Sequence, residues 1–471
     1  MRARAGASLA GTAHRDRLTT VHAFVRAVMH AWWIELCRRH ALDWPLPATG
    51  AQEAAALDKS TEETATGIGQ AAAGLPCEDG LLFLGATYSA LLPSGHRSRH
   101  GVFYTPLPLV ERLLHTATEA GFDWTSGRVL DPACGGGAFL AVAARRMVEH
   151  VRRTPPEAAL RQLEARLRGL EIDPFAAWLA QVCVEAAVIE TCVAAGRRLG
   201  PVVETCDSLA AEPPARGFDL VVGNPPYGRV GLSPALRDTY ARSLYGHANL
   251  YGVFTDLALR WCAADGLIAF VTPTSFLAGE YFKALRRLIH TEAPPAMLEL
   301  VEARKGVFDD VLQETALTVF RKGLAAAPAH VRFLSAVAGS EITVASGGIF
   351  RLPLAPTDPW RVPRQPGDAR LVERARRMPA RLAHYGYAVS TGPLVWNRHK
   401  DQLTATPDDG SGDVHPLVWA ESVTADGRFV FRCEKRNHLP YFRTRPGDDW
   451  LVIGRSACWC NARPRRSRRA D

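Results

Sequence analysis

Apolar positions recur at helical spacing near the start of the chain. Phe24, Val25, Val28, Trp32, Trp33 and Leu36 share one face between His22 and Trp44 and predict a helix. Residues 1 to about 95 read as a mostly helical packing region, with Gly50 to Gly74 as a loop or weak helix. From about Gly101 to Lys322 the period changes. Short β-rich runs at 128–130, 169–172, 202–204, 218–222, 267–271 and 316–320 alternate with Ala-rich amphipathic stretches such as 139–152 and 175–195. That alternation predicts an α/β fold, a doubly wound, mostly parallel sheet with helices on both faces. Ligands of such sheets bind at the carboxyl ends of the strands. After Gly323 the composition shifts, with a proline-rich stretch at 353–366 followed by short strand-like pieces. The expected division is a helical region at 1–95, an α/β domain at 96–325 and a further β-containing domain at 326–471.

Composition narrows the class. A chain of 471 residues with 47% hydrophobic and 22% charged residues is a globular protein of two or three domains. The net charge of +8 favours a polyanionic partner, although Arg463, Arg465, Arg466, Arg468 and Arg469 carry part of that excess at the very end. Among the ten cysteines, the eight from Cys37 to Cys433 show no paired C-x-x-C spacing, which argues for reduced thiols and against a zinc site or disulfide framework. The most apolar window, 257–277, carries Arg260 and Asp265, and no run resembles a membrane span or signal peptide. A bacterial cytoplasmic address is expected.

Candidate chemistry begins at Val129-Leu-Asp-Pro-Ala-Cys-Gly-Gly-Gly-Ala-Phe-Leu140, a strand, a glycine turn and a helix start. Asp131 ends the strand, and Ala133, Gly135 and Gly137 belong to a turn whose backbone can pass close to a ligand. No Gly-Lys-Ser/Thr follows, and Leu140 stands where a dinucleotide fingerprint has its last glycine. Neither phosphate-binding pattern is present, and Asp131 at the strand end can pair with an amino-acid ammonium instead. Glu171 follows at the next strand end, where a carboxylate can accept from both ribose hydroxyls, and Asp207 after the third, where it is able to accept from an adenine amine.

The most specific segment is Phe218-Asp-Leu-Val-Val-Gly-Asn-Pro-Pro-Tyr-Gly228. Pro225 and Pro226 fix φ and stiffen the turn. The Asn224 side-chain oxygen and the Pro225 carbonyl can accept both hydrogens of one aromatic amine. Two fixed acceptors favour its pyramidal form and stabilise positive charge developing on nitrogen. Tyr227 offers a ring for stacking the base that carries the amine, worth roughly 1–3 kcal/mol.

The order Gly101-Val-Phe-Tyr-Thr-Pro106, glycine loop and Asn-Pro-Pro-Tyr resembles the γ-class DNA amino-methyltransferases of the TaqI-like type, over about Gly101 to Lys322. The resemblance implies S-adenosylmethionine as cofactor and adenine N6 of double-stranded DNA as acceptor, in a bacterial restriction-modification system. It implies Tyr104, Thr105 and Pro106 beside the cofactor's methionine end, Glu171 on the ribose, Ile172 beside the adenine ring and Asp207 on its amine. Asn249-Leu-Tyr-Gly-Val-Phe254 and Val307-Phe308 resemble later motifs, with Phe308 a second stacking residue or a core residue. A base inside a duplex cannot enter such a site and must be flipped out. The stretch 389–400 resembles the family's target-recognition domains, so that Arg398 and Lys400 contact DNA, or else form a solvated basic loop.

Protein glutamine and cytosine N4 are the alternative acceptors, and an inactive DNA-binding remnant the alternative class. No nuclease motif stands out, so a separate restriction endonuclease is the expected partner of a monomeric methylase. From Arg455 the sequence mixes Cys, Trp and Arg without period, as expected of an out-of-frame tail that cuts short the third domain.

Overall fold

The computed structural model describes residues 17–48, 56–93, 105–301, 314–325, 327–336, 342–387, 394–407, 413–424, 426 and 428–453. Tyr104, Phe308 and the tail from Arg455 lie outside the described residues. Three helices come first: α1 (Arg17–Arg39), α2 (Lys59–Ala73) and α3 (Cys77–Leu91). The stretch expected to be a loop or weak helix thus contains α2. Asp58 caps it by accepting from the Thr61 N–H at 2.9 Å. Gly69 lets it approach α1 so closely that a Cβ there would lie 2.3 Å from the Val28 carbonyl oxygen. Packing outweighs the low helix propensity of glycine here.

The α/β elements follow: α4 (Leu107–Glu119), β1 (Val129–Asp131), α5 (Ala138–His150), α6 (Pro156–Arg166), β2 (Leu167–Glu171), α7 (Pro174–Ala187), α8 (Ile189–Ala195), β3 (Val203–Thr205) and β4 (Phe218–Gly223). Then come α9 (Pro234–Thr239), α10 (Leu250–Trp261), β5 (Cys262–Pro273), α11 (Lys283–Glu292), β6 (Pro295–Val301), β7 (Thr315–Arg321), β8 (Ala329–Ala336), β9 (Ile342–Phe350) and α12 (Ala369–Arg377). The nine strands form one sheet in the order β3-β2-β1-β4-β5-β7-β6-β8-β9. Five of its eight pairings are parallel, and the three antiparallel ones involve β7 and β9. The fold is the expected α/β doubly wound sheet. The sheet does not stop at 325, because β8 and β9 continue it and the first compact unit runs to Arg377.

One apolar layer packs α4, α5 and α6 against the sheet, with Leu113, Leu140 and Leu160 buried. The opposite layer packs α10 and α11, with Leu257, Leu285 and Phe270 buried. A third cluster joins α1–α3 to α7 through Phe24, Trp32, Trp33, Tyr88, Phe175 and Leu179. The N-terminal helices are therefore an extra layer packed on α7. The second unit, Met378–Asp471, contains a three-stranded antiparallel sheet of β10 (Leu403–Thr404), β11 (Val414–Pro416) and β12 (Tyr441–Arg443).

Candidate active site

Strands β1 to β3 are laid out in one direction across the sheet and β4 and β5 in the other, so chain order reverses between β1 and β4. A crevice forms at the carboxyl ends of strands at such a switch point. A cavity of about 350 Å³ lies there, lined by Thr105, Asp131, Ala133, Gly135, Gly137, Glu171, Ile172, Asp207, Asn224 and Pro226. Ten sequence-predicted residues are thereby brought into one wall. Pro106 caps α4 beside Thr105. Pro225 and Tyr227 are not among the lining residues, and Arg398 and Lys400 belong to the second unit.

The glycine turn puts Gly137 at φ 84° at the start of α5, where a Cβ would lie 2.8 Å from the Cα of Ala180. Only glycine permits both that conformation and that approach to α7. Asp131 is buried, and its Oδ1 accepts from the Ala133 N–H at 3.1 Å. Burial pushes its carboxyl up to about 8, more than the single N–H bond offsets. Glu171 is also buried and accepts from the Gly135 N–H at 2.8 Å and the Asp173 N–H at 2.9 Å. Burial raises its pKa too, against those bonds. Asp207 is exposed at the wall and accepts from the Leu209 N–H at 3.0 Å. Ile172 is 53% exposed, an apolar face left for a ligand ring.

Asn224 sits just beyond β4. Its Nδ2 donates to Thr105 Oγ1 at 3.0 Å, and its Oδ1 accepts from the Tyr227 hydroxyl at 2.7 Å. The same hydroxyl lies 3.1 Å from the Val271 carbonyl oxygen. One proton cannot serve both fully, and the shorter bond is to Asn224. Tyr227 is turned inward, edge-on to Tyr251 at 6.2 Å between ring centroids. Its stacking face is not presented to the cavity in this arrangement, and Asn224 keeps one oxygen lone pair for an amine.

Helix α3 contributes a part of the cavity lining that no sequence motif marks. Leu81, Gly85, Tyr88 and Ser89, spaced to share one helix face, complete the cavity wall. Tyr88 is buried and donates to Asp173 Oδ2 at 2.7 Å, while Asp173 Oδ1 accepts from Phe175 N at 2.9 Å and caps α7. Nothing local marks Tyr88, since α3 is apolar enough to read as plain core. Phe254 of α10 also lines the cavity. Its signal was present in the 249–254 segment.

The lining residues include three carboxylates and, among the described residues, no lysine, arginine or histidine. That set of acceptors offers a phosphate no counter-charge and suits a cationic ligand. S-Adenosylmethionine fits it, with an ammonium, a sulfonium, a ribose diol and an adenine to be met by carboxylates and apolar faces. Among the described residues no cluster of His, Cys, Asp and Glu is placed to hold a metal ion. No single helix there is long and apolar enough to cross a membrane.

Residues 205–304 match the family described as Eco57I restriction-modification methylase. The chain is 26% identical over 311 residues to the Type II methyltransferase M.XamI of Xanthomonas campestris pv. amaranthicola, covering 62% of this chain and 54% of that protein. It is 30% identical over 213 residues to the Type II methyltransferase M.TthHB8I of Thermus thermophilus, covering 42% of this chain and 40% of that protein. The chain thus spans about half or less of these curated relatives. The crystal structure of the type IIG restriction endonuclease BpuSI superposes with a TM-score of 0.46 at 18% identity, over 68% of this chain and 38% of that one, too loosely to bear on function. Across the stretch that carries Asn224 to Tyr227, this chain is therefore similar to restriction-modification methyltransferases.

Proposed function

We propose that the chain transfers a methyl group from S-adenosylmethionine to the N6 amine of a flipped-out adenine in duplex DNA. The observation that carries this reading is a single cavity whose lining includes Asp131, Glu171 and Asp207 together with Asn224 and Pro226. Donor and acceptor would meet there without crossing protein.

The bound cofactor supplies an electrophilic methyl on a sulfonium. Asp131 holds its ammonium, Glu171 its ribose hydroxyls and Asp207 its adenine amine, while Ile172 covers the adenine ring. Tyr104 and Pro106 belong beside the methionine end with Thr105. Asn224 Oδ1 and the Pro225 carbonyl accept the two amine hydrogens, and Pro226 stiffens the turn that aims them. Thr105 fixes the carboxamide by accepting from its Nδ2. Tyr227 turns its ring to the base, with Phe308 a second stacking candidate. Asn at 224, where cytosine enzymes by resemblance carry Ser, favours adenine. The second unit, with Arg398 and Lys400, is the candidate for target recognition. A separate restriction endonuclease is the partner this activity would serve.

The test is partition of radiolabelled methyl after incubation with duplex DNA and a protein extract. Label on DNA as N6-methyladenine, lost in Asn224→Ala with cofactor binding retained, is expected. Label on protein glutamine, or on cytosine N4, would overturn the assigned acceptor.

A further inference from the structure

Beside the Asn224–Tyr227 turn lies a cationic and aromatic surface that the transfer step does not use. The chain leaves the turn at Gly228, whose carbonyl accepts from the Leu250 N–H at 2.9 Å, and Arg229 bridges to Asn249. The excursion 229–249 therefore starts and ends against the catalytic turn. Just before its return lies the turn Tyr245-Gly246-His247, with Gly246 at φ 69° and tied by Arg237, which donates to the Gly246 carbonyl at 2.9 Å.

Tyr281 faces this turn. Its ring centroid is 5.7 Å from that of His247 and 5.9 Å from the Arg229 guanidinium. Lys283 Nζ lies 3.6 Å from the Tyr245 ring centroid. Tyr245 and Tyr281 remain 43% and 49% exposed. The next residue, Phe282, stacks on Tyr251 at 5.0 Å, and Tyr251 meets Tyr227 edge-on, so this surface is two ring contacts from the catalytic tyrosine. Lys283 is partly neutralised by Glu280 at 2.7 Å. Arg229 engages no carboxylate among the described residues.

Exposed tyrosine rings held beside cations are the two components of a single-strand platform. Rings take the faces of unpaired or unstacked bases, and guanidinium and ammonium groups take phosphates. Extruding a base leaves its flanking nucleotides unstacked, and some surface next to the entry must hold them. We propose that Arg229 and Lys283 bind backbone phosphates of the target strand, and that Tyr281, with Tyr245 and His247, supports the base flanking the extruded one. This rests on the reading of the chain as a DNA methyltransferase.

The test uses the full chain, a labelled duplex of mixed sequence and plasmid DNA as methyl acceptor. Arg229→Ala should lower the slope of log affinity against log salt by about one, the share of one phosphate contact. Tyr281→Ala should weaken DNA binding by about 5- to 100-fold while Tyr281→Phe stays near wild type. Cofactor affinity should be unchanged in all three, which also shows that they fold. Arg153→Ala, an exposed cation elsewhere on the same unit, should leave the slope unaltered. Wild-type methylation of DNA with Arg229→Ala and Tyr281→Ala equal to wild type would overturn this surface alone. An equal slope change in Arg153→Ala would also overturn it, as a mere effect of net charge. A wild type that neither binds nor methylates DNA would overturn the methyltransferase reading and this surface with it.

Discussion

Asp131 is the residue whose environment most constrains how the site works. A carboxyl lifted from 3.8 to about 8 by burial is mostly protonated near neutrality until a cation arrives. Its folded pKa lies above its unfolded one, so the stabilisation is fully present below the unfolded value and is lost as pH rises through about 8. The cofactor-free protein should therefore melt lower at about pH 9 than at about pH 6, and Asp131→Asn should flatten that difference. Cofactor affinity should move the other way, rising toward pH 8, because the proposed pairing with the ammonium needs the ionised form. Calorimetry in buffers of different ionisation enthalpy would show proton release on binding near neutrality, and binding without it would contradict the Asp131 role. Tyr88 acts one step back. Tyr88→Phe removes the hydroxyl that Asp173 accepts, and the loss of a hydrogen bond to a charged group should cost about 1.5–3 kcal/mol of stability. Asp173 also donates its N–H to Glu171. Raised KM for the cofactor with kcat unchanged at saturation is the expected kinetic signature, and an unaltered KM would leave Tyr88 a structural residue only.

Among the elements, the tie between α4, β6 and β8 is the one that sequence could not announce. Glu299 of β6 is fully buried and accepts from Arg112 Nε at 3.0 Å, from Thr116 at 3.2 Å and from Arg332 at 3.1 Å. Removing one partner of a buried pair strands the other charge, so Glu299→Ala should destabilise the fold by about 3–5 kcal/mol, measured by denaturant unfolding. The strands that end in chemistry were legible because each joins an apolar run to a marked residue: β1 to Asp131, β2 to Glu171, β4 to Asn224. The strands β6, β8 and β9 were not singled out, since no such residue punctuates them and their pairing is decided by distant partners such as β7. The glycines of α2 pointed to a loop until the close approach at Gly69 is known. For the site, ten residues of one cavity wall came from short motifs. The α3 wall did not, because its role depends on how a helical layer docks onto α7.

At the scale of the molecule, every residue lining the cavity lies in the first unit, between Leu81 and Phe254. A chain ended after Arg377 should therefore bind S-adenosylmethionine with the affinity of the full chain while losing sequence-selective methylation, read by calorimetry beside methyl incorporation into DNA. Loss of cofactor binding on that truncation would mean that the second unit shapes the pocket. The acceptor is decided by the identity of the modified base in DNA from bacterial cells that express the chain, with Asn224→Ala as the control. N6-methyladenine at a recurring sequence is expected in the wild type and none in the control. Unmodified adenine in both, or methylation that survives in the control, would contradict the proposed transfer to adenine.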